Sequence, residues 1–123
     1  MSSAGIRHIF NATQYSVAGL IVLLREKAAR LEVGMLLGSL TMLILLNGRF
    51  TDYLVVVLLF CVTFSVESTN TAIESLVDHL SPEKSDFARD TKDLGSTSVF
   101  FLLIANGLFL SAVFARFMEW VSW

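Results

Sequence analysis

Between residues 6 and 28, apolar or near-apolar side chains recur at steps of three and four: Ile6, Ile9, Phe10, Thr13, Val17, Leu20, Ile21, Leu24 and Ala28. The face between them carries Arg7, His8, Asn11, Gln14, Ser16 and Arg25. This period predicts an amphipathic helix over residues 6–28, too polar to cross a bilayer and suited to the headgroup plane, with Gly19 permitting a bend. A charged collar follows, Arg25, Glu26, Lys27, Arg30 and Glu32. The apolar run 31–46 is shorter than the roughly 20 residues that hydrocarbon requires, so a first span over about 30–47 is expected, its charged end at the interface. Asn47-Gly48-Arg49 reads as a tight turn. A second helix is predicted over 53–80, about 28 residues and roughly 42 Å, long enough to cross and protrude. Ser81-Pro82 ends it, and Ser81 could cap a short new helix with Pro82 at its first position. A polar connector over 83–93 then leads to a third span over 97–118, interrupted by Asn106, which suits a hydrogen bond across a helix interface. Trp120 and Trp123 suit an interfacial anchor. The pattern predicts an all-α integral membrane protein, one domain over 1–123, made of an amphipathic surface helix and three transmembrane helices in a helical bundle.

Composition agrees. Of the 123 residues 54% are hydrophobic, above the share usual in soluble domains, and the mean hydropathy is +0.68. The net charge of -2 and the scattered basic residues argue against a nucleic-acid partner. The lone Cys61 lies in an apolar run, so no disulfide or thiolate metal site is expected, and it reads as a small hydrophobe. His8 and His79 are far apart in sequence and form no zinc pattern. No cleavable signal peptide is expected from the first residues. Basic residues set the orientation: Arg7, Arg25, Lys27 and Arg30 precede the first span, and Lys84, Arg89 and Lys92 lie between the second and third. Arg49 and Arg116 stand alone on the other side, which predicts a cytoplasmic N-terminus and an external C-terminus.

The chemistry collects where the second span leaves the membrane. Glu67, Asn70, Glu74 and Asp78 are spaced i, i+3, i+7 and i+11, one narrow face of a helix. Aligned carboxylates repel unless a cation, a proton or a charged partner compensates. Glu26 and Glu74, from different helices, are candidates for a Mg²⁺ site, because Mg²⁺ takes one or two carboxylates together with phosphate oxygens. The bland reading of Glu26 is an i, i+4 ion pair with Arg30. Lys92 can meet phosphate, with Asp93 orienting it or accepting a nucleotide hydroxyl; a solvated connector is the other reading. Neither glycine-rich phosphate loop occurs, and no G-x-S-x-G elbow suggests an esterase.

The run Glu67-x-x-Asn70-Thr71-Ala72-Ile73-Glu74-x-x-x-Asp78, followed by Lys92-Asp93-Leu94-Gly95-Ser96, resembles the signature of the small prokaryotic diacylglycerol kinases. The length, surface helix and three spans agree over nearly the whole chain. The resemblance implies a homotrimer in the bacterial inner membrane. Its active sites would be cytoplasmic, shared between subunits, and would transfer the γ-phosphoryl group of MgATP to diacylglycerol. Carried over by motif, Glu67 is the general base, Asn70 places the reacting groups, and Glu26 and Glu74 hold Mg²⁺ and contact ATP. Tyr15, Asp78, Lys92 and Asp93 join the ATP site. Arg7 resembles an N-terminal arginine of the family, one residue further from Tyr15, and Glu83 is the acid of a connector whose following residues differ from proteobacterial members. Ala28, Ala29, Arg30, Leu31 and Glu32, with Ser96 and Glu67, lie near the lipid. Phosphoryl transfer fits such an allocation, because it demands positioning and charge neutralisation more than covalent chemistry. Gly95-Ser96 resembles the diacylglycerol-specific branch; the same chemistry on undecaprenol is the near alternative. A non-enzymatic ion or proton channel subunit is the remote one, disfavoured because no acid lies between Tyr53 and Val66.

Overall fold

The computed structural model describes residues 3–121 and consists of four helices, α1 (Ser3–Leu23), α2 (Lys27–Leu45), α3 (Phe50–Leu80) and α4 (Asp86–Val121). The last three are long and apolar enough to cross a membrane. Trp123 lies outside the described residues, as does the side chain of Trp120, so the expected aromatic anchor does too.

The first helix stops earlier than its periodicity predicts, at Leu23 and not at residue 28. The reason is local. Consecutive charges at Arg25, Glu26 and Lys27 occupy the junction, where Glu26 is extended (φ -72°, ψ 138°) and leads into α2. Arg30 reaches back to donate to the carbonyls of Leu24 (3.2 Å) and Arg25 (2.5 Å), satisfying acceptors that a helix end leaves without partners. Arg30 therefore does not form the expected ion pair with Glu26. Residues 7–22 of α1 are all exposed, including Phe10, Val17 and Ile21, so the helix lies outside the small core of the single chain.

The turn at Asn47 is a Schellman-type stop. Asn47 adopts φ 50°, a left-handed conformation that asparagine tolerates, and Gly48 donates to the Leu43 carbonyl at 2.7 Å while Asn47 donates to Ile44 at 3.3 Å. Asp52, three residues after Arg49, caps α3 by accepting from the Arg49 amide at 2.8 Å. The third long helix departs furthest from expectation. No short helix starts at Ser81; Ser85 takes the N-cap role, its hydroxyl accepting from the Ala88 amide at 3.1 Å. The stretch read as a connector is thus the first turns of α4, with Asp86 near the helix N-terminus and paired to Arg89 at i, i+3. Mixed charge excludes hydrocarbon, not helix.

Antiparallel α3 and α4 are tied at three levels: Asp52 to Arg116, Thr63 to Asn106 (3.0 Å) and Asp78 to Lys92. Asn106 thus makes the cross-helix bond its place in an apolar run suggests. Leu43 of α2, Val56 of α3 and Val113 of α4 form the buried cluster near the α2–α3 turn. Most other large apolar side chains point outward, among them Leu37, Leu58, Phe101 and Leu108, as expected where lipid or another apolar surface replaces water.

Candidate active site

The acid stripe lies on the last turns of α3, and burial divides it. Glu67 is 5% exposed and Asn70 7%, Glu74 is half-buried, and Asp78 is exposed. The uninterrupted helix makes this gradient, since each i, i+4 step carries a side chain about 6 Å along the axis on one face. Asn70 Nδ2 donates to Glu74 Oε1 at 3.1 Å, so the amide sets the direction of that carboxylate. The other amide atom, Oδ1, is buried without a hydrogen-bond partner.

Two acids from other segments reach the buried end. Glu32 of α2 is 5% exposed, has Oε2 without a hydrogen-bond partner and interacts electrostatically with Glu67. Glu26, in the α1–α2 junction, and Glu74 also lie within electrostatic reach of Glu67. Acids of three segments, Glu26, Glu32 and Glu74, thus each interact electrostatically with Glu67. Among the described residues no group of three or more His, Cys, Asp or Glu is arranged as a complete metal site. As hard-oxygen donors, Glu26 and Glu74 have the chemistry of ligands for a cation that takes its other ligands from phosphate and water.

Lys92 reaches across from α4 to Asp78 at 2.5 Å. Its neighbour Asp93, which the sequence offered as its orienter, is exposed and makes no ion pair with it. Asp78, Lys92 and Glu83 line a cleft of about 440 Å³ at the α3–α4 linker together with Ser85 and Arg89. At the other side of Glu32 an apolar cavity of about 90 Å³ runs between the spans, bordered by Leu36, Val56, Phe60, Thr63 and Asn106.

The remaining expected site residues are not gathered. Arg7 and Tyr15 are exposed on α1, Tyr15 at 75%, and neither is hydrogen-bonded or ion-paired to the stripe. Of the lipid-side candidates, Ala29 is fully buried, Ala28 and Leu31 are exposed, Arg30 serves the α1 terminus and Ser96 is exposed on α4. The sequence placed Gly95 only in the Gly95-Ser96 pair that resembles the diacylglycerol-specific branch; its packing against Asn70 is new, since a Cβ built there would overlap Asn70 Oδ1. For that contact the sequence carries no signal beyond a glycine inside a helical stretch. The pairing of Asp52 with Arg116 also leaves no mark on the sequence, the two being 64 positions apart.

The model of the family described as prokaryotic diacylglycerol kinase matches residues 14–114, which include every element of this site except Arg7. A diacylglycerol kinase of Sinorhizobium sp. is 37% identical over 117 residues, covering 94% of this chain and 85% of the relative. The diacylglycerol kinase of Pseudomonas aeruginosa is 31% identical over 80% of this chain and 81% of its own length. That of Haemophilus influenzae is 27% identical, over 86% and 91% respectively. The chain belongs to the prokaryotic diacylglycerol kinase family and is a lipid kinase.

Proposed function

We propose that the chain transfers the γ-phosphoryl group of MgATP to the hydroxyl of diacylglycerol, giving phosphatidic acid and ADP. The observation that carries this reading is the burial gradient of one helix face, from Glu67 enclosed beside Glu32 to Asp78 and Lys92 in the open linker cleft. A lipid alcohol approaches such a site from the apolar end and a nucleotide from the aqueous end. The lipid oxygen forms the new bond to phosphorus, the bond to the β,γ-bridging oxygen breaks, and ADP leaves. Glu67 takes the hydroxyl proton as that bond forms, within about 3 Å of the oxygen; deprotonation beforehand is not required. Mg²⁺, bound with ATP, would supply charge neutralisation on the phosphates.

This chain's residues do the rest. Glu74, directed by Asn70, and Glu26 hold the cation. Lys92 has three donors, of which Asp78 uses one, so the others remain for phosphate oxygens. Glu83 and Asp93 border the nucleotide, and Tyr15 and Arg7 complete its site once α1 lies against the membrane face. Ala28, Ala29, Leu31, Glu32 and Ser96 border the lipid, whose acyl chain begins at the apolar cavity beneath Glu32. The assembly is a homotrimer in the bacterial inner membrane, with the amphipathic α1 on the cytoplasmic surface. The exposure of Tyr15, at 75% far from enclosed, supports an assembly larger than one chain.

Undecaprenol is the competing acceptor. Both lipids offered together in mixed micelles with Mg²⁺ and ATP are expected to yield mainly phosphatidic acid. Predominant undecaprenyl phosphate would overturn the choice of acceptor and leave the mechanism standing.

A further inference from the structure

Gly95 occupies the interior of α4, where glycine is a poor helix former, and nothing in its backbone conformation demands glycine. The demand is steric. The three atoms nearest a Cβ built at Gly95 all belong to Asn70: Oδ1, which it would overlap, Cγ at 3.2 Å and Cβ at 4.0 Å. At Gly19, Gly34, Gly38 and Gly107 a Cβ would meet nothing within 4 Å.

Asn70 needs this space. Its Nδ2 donates to Glu74 Oε1 at 3.1 Å, and its buried Oδ1 has no hydrogen-bond partner. Reversing the amide would turn a carbonyl oxygen toward the Glu74 carboxylate, which offers no proton when ionised, so the electrostatics select the observed orientation. In that orientation the oxygen must lie against α4. The space that a Cβ would fill at Gly95 is therefore taken by Oδ1. Any side chain at position 95 displaces the amide and with it the hydrogen bond that directs Glu74.

We propose that Gly95 is a positioning residue for phosphoryl transfer: its bare Cα is the seat of the Asn70 amide, and through Asn70 it fixes the Glu74 carboxylate. The inference rests on the lipid-kinase reading of this site and adds to it a residue on the facing helix.

The test uses the full chain in mixed micelles. Steady-state kcat and the Mg²⁺ concentration for half-maximal rate are measured for wild type, Gly95→Ala, Asn70→Ala, the double variant and Gly38→Ala, with helix content and unfolding midpoint alongside. Gly95→Ala is expected to lower kcat about tenfold or more, the scale set by displacement of a catalytic group, and to raise the Mg²⁺ requirement severalfold. The double variant should be no worse than Asn70→Ala, because removing the amide makes room for the new methyl group. Gly38→Ala should stay within about twofold of wild type, an exposed helical position where a Cβ meets nothing within 4 Å and alanine is well tolerated. If Gly95→Ala does not fold, the double variant is expected to fold as Asn70→Ala does. Wild-type kcat and Mg²⁺ dependence in Gly95→Ala, additive losses in the double variant, or a double variant that alone with Gly95→Ala fails to fold would each overturn the inference. An inactive wild type would instead overturn the reading it rests on.

Discussion

At the scale of single residues, environment assigns different work to chemically equal groups. Glu67 and Asp78 are both acids of one helix face, yet the first is 5% exposed beside another acid and the second has a side chain 64% exposed and paired to Lys92. A base acting on a membrane-held alcohol belongs at the first position. Glu67→Gln keeps the shape and removes the proton acceptor, so kcat is expected to fall by about 10²–10⁴ with KM for ATP little changed; steady-state kinetics on micellar lipid measures both. Asp78→Asn should do the reverse. An exposed ion pair is worth about 0–1 kcal/mol, so loosening Lys92 should raise KM for ATP up to about fivefold and leave kcat nearly unchanged. Spacing alone placed Glu67, Asn70, Glu74 and Asp78 on one face, because a helix period is local information. The partners across the interface were not legible in the same way. Glu32 looked like one charge of a collar, and Lys92 was assigned to its neighbour Asp93 when its carboxylate stands 14 positions away on α3.

At the scale of elements, the helices were legible and two of their ends were not. Hydrophobicity marks where a helix can sit in hydrocarbon, whereas hydrogen bonds mark where it starts. The apolar part of the third span begins near residue 97, but Ser85 starts the helix eleven residues earlier by capping the Ala88 amide. Ser85→Ala is expected to cost about 1 kcal/mol of stability, read as a lower midpoint in detergent-based unfolding, with little loss of kcat. At the opposite end, Asp52 caps α3 and pairs with Arg116 of α4, with Asp52 buried and Arg116 partly so. Arg116→Met removes the cation paired with that buried carboxylate and leaves only Arg49 to compensate it, so a loss of about 3 kcal/mol is expected by the same assay. Activity measured well below the midpoint should survive, since the pair lies at the far end of α3 from Glu67.

At the scale of the whole molecule, a long α3 carries reactive groups from an apolar interior to an aqueous edge, and α4 runs back along it with Gly95 and Lys92 facing the stripe. The single chain gathers the stripe, Glu32 and Glu26, but leaves α1, with Tyr15, exposed. A three-span pattern legible from hydropathy therefore accounts for the level of the stripe, whereas it does not say what covers the exposed face of α1. The central claim is that the α3 stripe performs Mg²⁺-dependent phosphoryl transfer to a membrane alcohol. Its most direct test is incorporation of the γ-phosphate of labelled ATP into diacylglycerol in mixed micelles by the wild type, Glu67→Gln and Glu74→Gln. Mg²⁺-dependent phosphatidic acid is expected from the wild type and almost none from either variant; no lipid product from the folded wild type, or full activity in both variants, would refute phosphoryl transfer by the stripe.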